Sequence, residues 1–184
     1  MGTRINVLMP HYLTDWADRD AAMRVLATTL PVANALTIYW LEATSEPDSV
    51  KDWIALPPFP APETRDYHRY TGPGPLYVDI NPHCVHVRAG GRWRGFLSIQ
   101  PLRSIHILAF KSIANAFDAK TFRCFPDNDF ASDAFCDGAN FDSCCAILDE
   151  RFGEAVLLSD AVDSDLVEKT ETGCPAMQYV STRQ

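Results

Sequence analysis

The chain has 184 residues, is 47% apolar and 22% charged, and carries a net charge of −8. This balance excludes a disordered chain, a collagen-like repeat and a coiled coil. The length suits one α+β domain over 1–184, whose core buries roughly 70% of the unfolded surface without help from a metal or disulfide. The acidity argues against a general nucleic-acid binder and admits a basic partner.

Residues 4–9 (Arg-Ile-Asn-Val-Leu-Met) read as a strand closed by Pro10. The apolar run after Arg4 is about five residues, against roughly 7–15 for a secretion signal and about 20 for a membrane span. The expectation is therefore a cytoplasmic protein with no membrane partner. Thr14 and Asp15 are N-cap candidates for a helical segment over 15–43 that Pro31 interrupts, with Ala22, Val25, Leu26 and Leu30 in its stripe. Residues 44–75 hold seven prolines and read as a connection packed onto the domain by Trp53, Phe59, Tyr67 and Tyr70.

A three-strand meander is expected next, at Leu76–Ile80, Cys84–Arg88 and Arg92–Leu97, with turns at Asn81-Pro82-His83 and Ala89-Gly90-Gly91. Leu76, Val78, Ile80, Val85 and Val87 share one face, and Tyr77, Asp79, Cys84, His86, Arg88, Arg92 and Arg94 the other. Pro101 opens a helix to Asp118 with Leu102, Ile105, Ala109 and Ile113 at helical spacing. Thr121–Phe125 is a strand, 127–133 a polar loop, and Phe141–Phe152 a helix capped by Asn140 and stopped by Gly153. Val156–Leu158 and Met177–Val180 are short strand candidates. The order predicts an α+β fold with a largely antiparallel sheet and helices on one face. It is compatible with a ferredoxin-like core carrying a C-terminal elaboration, a fold that predicts no function by itself.

No phosphate-binding glycine pattern is present. Pro73 interrupts Gly72-Pro73-Gly74 where a phosphate cradle needs an amide, and no G-x-S-x-G elbow occurs. The six cysteines contain no C-x-x-C pair and read as reduced, mostly buried thiols. His83, Cys84 and His86 form the densest set of metal-ligand types, but zinc would need further ligands from elsewhere, Asp79 being one option. Asp127-Asn128-Asp129 begins like a calcium loop and fails it: the sixth position is Ser132 and the twelfth Gly138, where glycine and glutamate are required.

Two site candidates follow. His11 after the first strand and Asp127 and Asp129 after a later one would form a catalytic site at one sheet edge if those strands ran parallel; antiparallel strands would separate them. Tyr77, His86, Arg88, Arg92 and Arg94 would hold an anion or a nucleic-acid strand on the polar sheet face. No cofactor is implied, and the oligomeric state is not encoded in any recognisable pattern.

The charge is unevenly spread. Residues 1–126 hold thirteen Lys and Arg against eleven Asp and Glu, a net +2, whereas 127–184 hold three against thirteen, a net −10. The reading this favours is a non-catalytic binding or regulatory module, immunity-like by analogy, whose acidic last third meets a basic protein. The alternatives are a metal-assisted hydrolase using the His and Asp residues near strand ends, and anion or nucleic-acid binding on the arginine-bearing face.

Overall fold

A computed structural model describes residues 4–28, 54–55, 67–72, 76–127, 129–157 and 180–183. In chain order the elements are β1 (Ile5–Pro10), α1 (Trp16–Thr28), β2 (Ile54–Ala55), β3 (His68–Thr71), β4 (Leu76–Ile80), β5 (Cys84–Ala89), α2 (Trp93–Ser98), α3 (Gln100–Ala116), β6 (Thr121–Phe125), α4 (Asp129–Cys136), α5 (Phe141–Phe152), β7 (Val156–Leu157) and β8 (Val180–Arg183). The strands form one sheet in the order β2-β3-β4-β5-β1-β6-β8-β7, antiparallel at every junction except β7–β8. The fold is α+β, with a largely antiparallel sheet. Its four middle strands, β4-β5-β1-β6, with α1 after β1 and α3 after β5, stand in the order of a β-α-β-β-α-β unit.

Strand β1 explains the centre. Ile5 to Met9 are all buried, because neighbours pair on both edges and helices cover both faces. Ile5, Val7 and Met9 face one way with Val78, Val85 and Val87, and there meet Met23 and Leu26 of α1, Trp93 and Phe96 of α2, and Phe110 and Ile113 of α3. Leu8 points the other way, with Cys84 and Phe125, onto Ala131 and Phe135 of α4 and Cys144 and Leu148 of α5. Helices therefore lie on both faces, where one was expected. An apolar patch of Leu8, Phe125 and Cys84 interrupts the polar face and requires an apolar cover.

Three local expectations are corrected. Arg92–Leu97 is helix α2, not a third meander strand: Trp93, Phe96 and Leu97 are buried together, a three- and four-residue spacing that suits a helix and no strand. Gly91 (φ +110°) makes the turn into it, and its Cα packs so close to Ile5 that an added Cβ would lie 3.4 Å from the Ile5 Cδ1. The segment after Asp127 is helix α4, not a loop, since Ala131 and Phe135 repeat at i, i+4 and Asp129 suits the positive end of the helix. Within the proline-rich 44–75 stretch, 54–55 and 68–71 are strands that extend the meander backwards to β2-β3-β4-β5. Tyr70 is buried in the main core and Tyr67 packs on the second cluster, while Trp53 and Phe59 lie outside the described residues, as does the helical segment beyond Thr28.

Other local signals act as read. Asp15 accepts a hydrogen bond from the Asp18 amide (2.8 Å) at the start of α1. Asn140 accepts from Ser143 (2.9 Å) at the start of α5, and Gly153 (φ +80°) stops that helix. The described cysteines form no disulfide. A hydrogen bond with Cys144, and then burial, pushes the Cys84 thiol upward, and burial does the same for Cys124 and Cys145, which makes them unreactive small hydrophobes.

Candidate functional site

The polar sheet face holds a cavity of about 270 Å³ lined by Arg4, Asn6, Arg69, Asp79, His86, Arg88, Asp127, Asp129, Ser132 and Cys136. Strand register assembles it. Arg69 on β3 stands opposite Asp79 on β4, Asp79 opposite His86 on β5, and Arg88 opposite Asn6 on β1. Asp127 follows β6 on the far side of β1, and α4 roofs the cavity with Ser132 and Cys136, one turn apart.

Asp79, 2% exposed, sits between two arginines. Arg69 donates Nε to Oδ1 (2.6 Å) and Nη2 to Oδ2 (3.0 Å), a bidentate pair, and Arg88 brings Nη2 within 3.1 Å of Oδ2. The Arg88 guanidinium also lies 5.4 Å from the Tyr77 ring centroid. On the opposite side Asp127 accepts from the Arg4 backbone amide (2.8 Å) and from Asn6 Nδ2 (3.0 Å).

His86 and Asn6 form the floor between these charges. His86 Nε2 lies 3.1 Å from Asn6 Oδ1. Since Asn6 Nδ2 donates to a carboxylate, its Oδ1 must accept, so His86 carries its proton on Nε2. Burial depresses the His86 pKa to about 4, against the raising effect of Asp79 and Asp127. The imidazole is thus neutral at physiological pH. The linkage has a definite sign: between about 4 and 6.5 the unfolded chain binds a proton that the native state refuses, so stability rises with pH through that window and is fully present above 6.5. We expect acidification from pH 7 to pH 4 to remove about 3 kcal/mol through this residue. Urea unfolding across that range would check it, with His86→Gln giving a visibly flatter profile.

The remaining candidates lie elsewhere. Because β1 and β6 are antiparallel, His11 and Asp127 sit at opposite ends of β1, roughly 20 Å of strand apart, and do not form one site. His11 is buried against Asn81 O (2.8 Å) and Phe117, with burial holding its pKa down. His83 is exposed in the β4–β5 turn and Cys84 faces the apolar cluster. Among the described residues no three His, Cys, Asp or Glu side chains converge as a metal site, so His83, Cys84 and His86 are not brought together. Arg92, which caps α2, and Arg94, within it, are exposed, and the buried side chains of α2 belong to the core of the other face, so they do not join Tyr77, His86 and Arg88. His106 is buried with its ring nitrogens against Leu102 O and Gly90 O.

Asp127 and Asp129, read as one candidate, and His86 and Arg88, read as another, line the same cavity. Sequence reading missed Arg69, because its strand lay within an assumed connection. It also missed Asn6, Ser132 and Cys136. A signal existed for Asp79: an acid at the polar position of a strand whose neighbours Val78 and Ile80 are apolar.

Residues 127–157, the described part of the acidic last third, present the exposed acids, and Asp160, Asp163, Asp165, Glu168 and Glu171 lie outside the described residues. Asp127, Asp129, Asp133, Asp137, Asp142, Asp149, Glu150 and Glu154 are all exposed, and Arg151 is the one basic residue in 127–157. A groove of about 430 Å³ between α4 and α5 is lined by Phe130, Ile147, Glu150 and Arg151, with Phe130 72% exposed. No helix among the described residues is long and apolar enough to cross a membrane. Comparison with protein-family models, curated proteins and solved structures gives no match for this chain.

Proposed function

We propose that this chain is a non-catalytic binding module that engages a basic protein segment through the α4–α5 face. The observation that carries this reading is the concentration of exposed acids on and beside two adjacent helices, α4 and α5, with an exposed Phe130 in the groove between them beside Glu150. Among the described residues, no ion pair joins Asp133, Asp137, Asp142 or Glu150 to a basic side chain. Acids of one sign on one face raise association rates with a cationic partner. The groove beside Phe130 offers an apolar contact that charge alone lacks. A lysine-bearing segment with one large apolar side chain fits both features.

The test is fluorescence anisotropy with a synthetic amphipathic Lys/Leu peptide. Raising ionic strength from about 0.01 to 0.15 M shortens the Debye length from about 30 to about 8 Å and is expected to weaken binding at least tenfold. Reversal of Asp133 and Glu150 to lysine should abolish it, and Phe130→Ala should weaken it at both salt concentrations. Binding indifferent to salt and to charge reversal would sink the reading.

A further inference from the structure

We propose that the polar cavity is a binding site for a small zwitterion, of the free α-amino-acid class. The inference is independent of the protein-binding reading, which concerns the outer surface of α4 and α5.

Three observations carry it. First, the cavity holds opposite charges at its two sides that are not paired with each other. Arg88 and Asn6 are direct partners across β5–β1, and Asn6 holds Asp127, which follows β6 on the far side of β1, so a guanidinium and a carboxylate face the same cavity from strands two spacings apart, roughly 10 Å. Arg88 is drawn to Asp79 on the β4 side, and Asp127 is tied to the Arg4 amide and Asn6 on the β6 side. Between them lie only a neutral imidazole and an amide.

Second, each charge keeps unused capacity. Arg88 spends Nη2 on Asp79, and its Nε has no hydrogen-bond partner. Both Asp127 oxygens accept from neutral donors, and Asp129 adds a second carboxylate at the same wall. A ligand carboxylate toward Arg88 and a ligand ammonium toward Asp127 and Asp129 would complete both, as charge-assisted hydrogen bonds. A simple anion would meet the acidic wall, and a simple cation the arginines. A dipolar ligand satisfies both ends.

Third, the size is restrictive. About 270 Å³ falls just below the roughly 300–1,000 Å³ of drug-sized sites, too small for a nucleotide or a peptide.

The experiment is a thermal-shift and calorimetric series on the full chain with glycine, alanine and serine as probes, and with propionate and ethylamine as single-charge controls. At about ten times Kd a bound amino acid should raise Tm by about 3–6 °C, and neither control should do so at the same concentration. Asp129 is exposed, so Asp129→Asn should leave the unliganded Tm nearly unchanged and weaken amino-acid binding about tenfold. Ser132→Leu, which fills the cavity from the roof, should abolish binding. Arg88→Gln should do the same, and its unliganded melting curve reports separately whether it folds. The proposal is overturned if no amino acid shifts Tm, if propionate or ethylamine shifts it equally, or if Asp129→Asn and Ser132→Leu bind as the parent does.

Discussion

Asp79→Ala is expected to cost about 3 kcal/mol of folding stability, the lower end of what breaking a buried ion pair costs, and to lower Tm by about 6–12 °C for a domain of this size. Its carboxylate is 2% exposed and holds two guanidiniums, Arg69 through two hydrogen bonds and Arg88 through one ion pair. Removing it leaves two like charges side by side against the sheet. The lower end applies because the arginines are 20% and 29% exposed, so water recovers part of their solvation. Asp79→Asn, which keeps one acceptor and drops the charge, should fall about midway. Replacing all three residues with apolar side chains of similar volume should recover most of the loss, because a satisfied buried triad contributes little net stability over a packed apolar one. Urea midpoints for the three variants would check this, and a loss below about 1 kcal/mol for Asp79→Ala would mean that the triad behaves as a screened surface pair.

Asn81→Ala should be at least as damaging, at about 3–4 kcal/mol. Its side chain is fully buried, and every hydrogen-bonding position of the amide is filled. Oδ1 accepts from the His83 and Cys84 amides (2.8 and 2.7 Å), and Nδ2 donates to Phe135 O and Ala139 O (2.9 and 3.0 Å). One residue thus closes the β4–β5 turn and pins the end of α4 to it. Alanine leaves two amides and two carbonyls without these partners. Asn81→Asp is the sharper test: it keeps both acceptors but turns its second oxygen on two carbonyls, so it should be no better than alanine at neutral pH. Hydrogen exchange should show α4 and α5 losing protection before β1 and β5 do, because the lost bonds join those helices to the sheet.

Both residues show where sequence reading reaches and where it stops. Asn81 was legible as a turn residue beside Pro82, and Asp79 as a polar-face residue of an alternating strand. The long amphipathic helix α3, the capped helix α5, and strands β1, β4, β5 and β6 were legible because local periodicity and caps are written in adjacent residues. Helix α2 was misread because a glycine pair that resembles a hairpin turn outweighed a six-residue helical spacing. Helix α4 was misread because aspartates that suit a loop also suit a helix start.

What the sequence determined by itself is therefore part of the local grammar: strands β1, β4, β5 and β6 and helices α3 and α5, the apolar face of the alternating strands β4 and β5, and that the acids gather in the last third. The sequence pattern also places Asp79, His86 and Arg88 on one face, since that needs only the two-residue period of a strand. Tertiary structure alone decided which of these residues meet. Register between β3, β4, β5 and β1 brings Arg69, Asp79, Arg88 and Asn6 together. The antiparallel pairing of β1 with β6 sends Asp127 to that cavity and His11 to the far end. Strand pairing is a long-range choice, set by how the apolar faces bury against one another across many residues of chain, and no local pattern carries it.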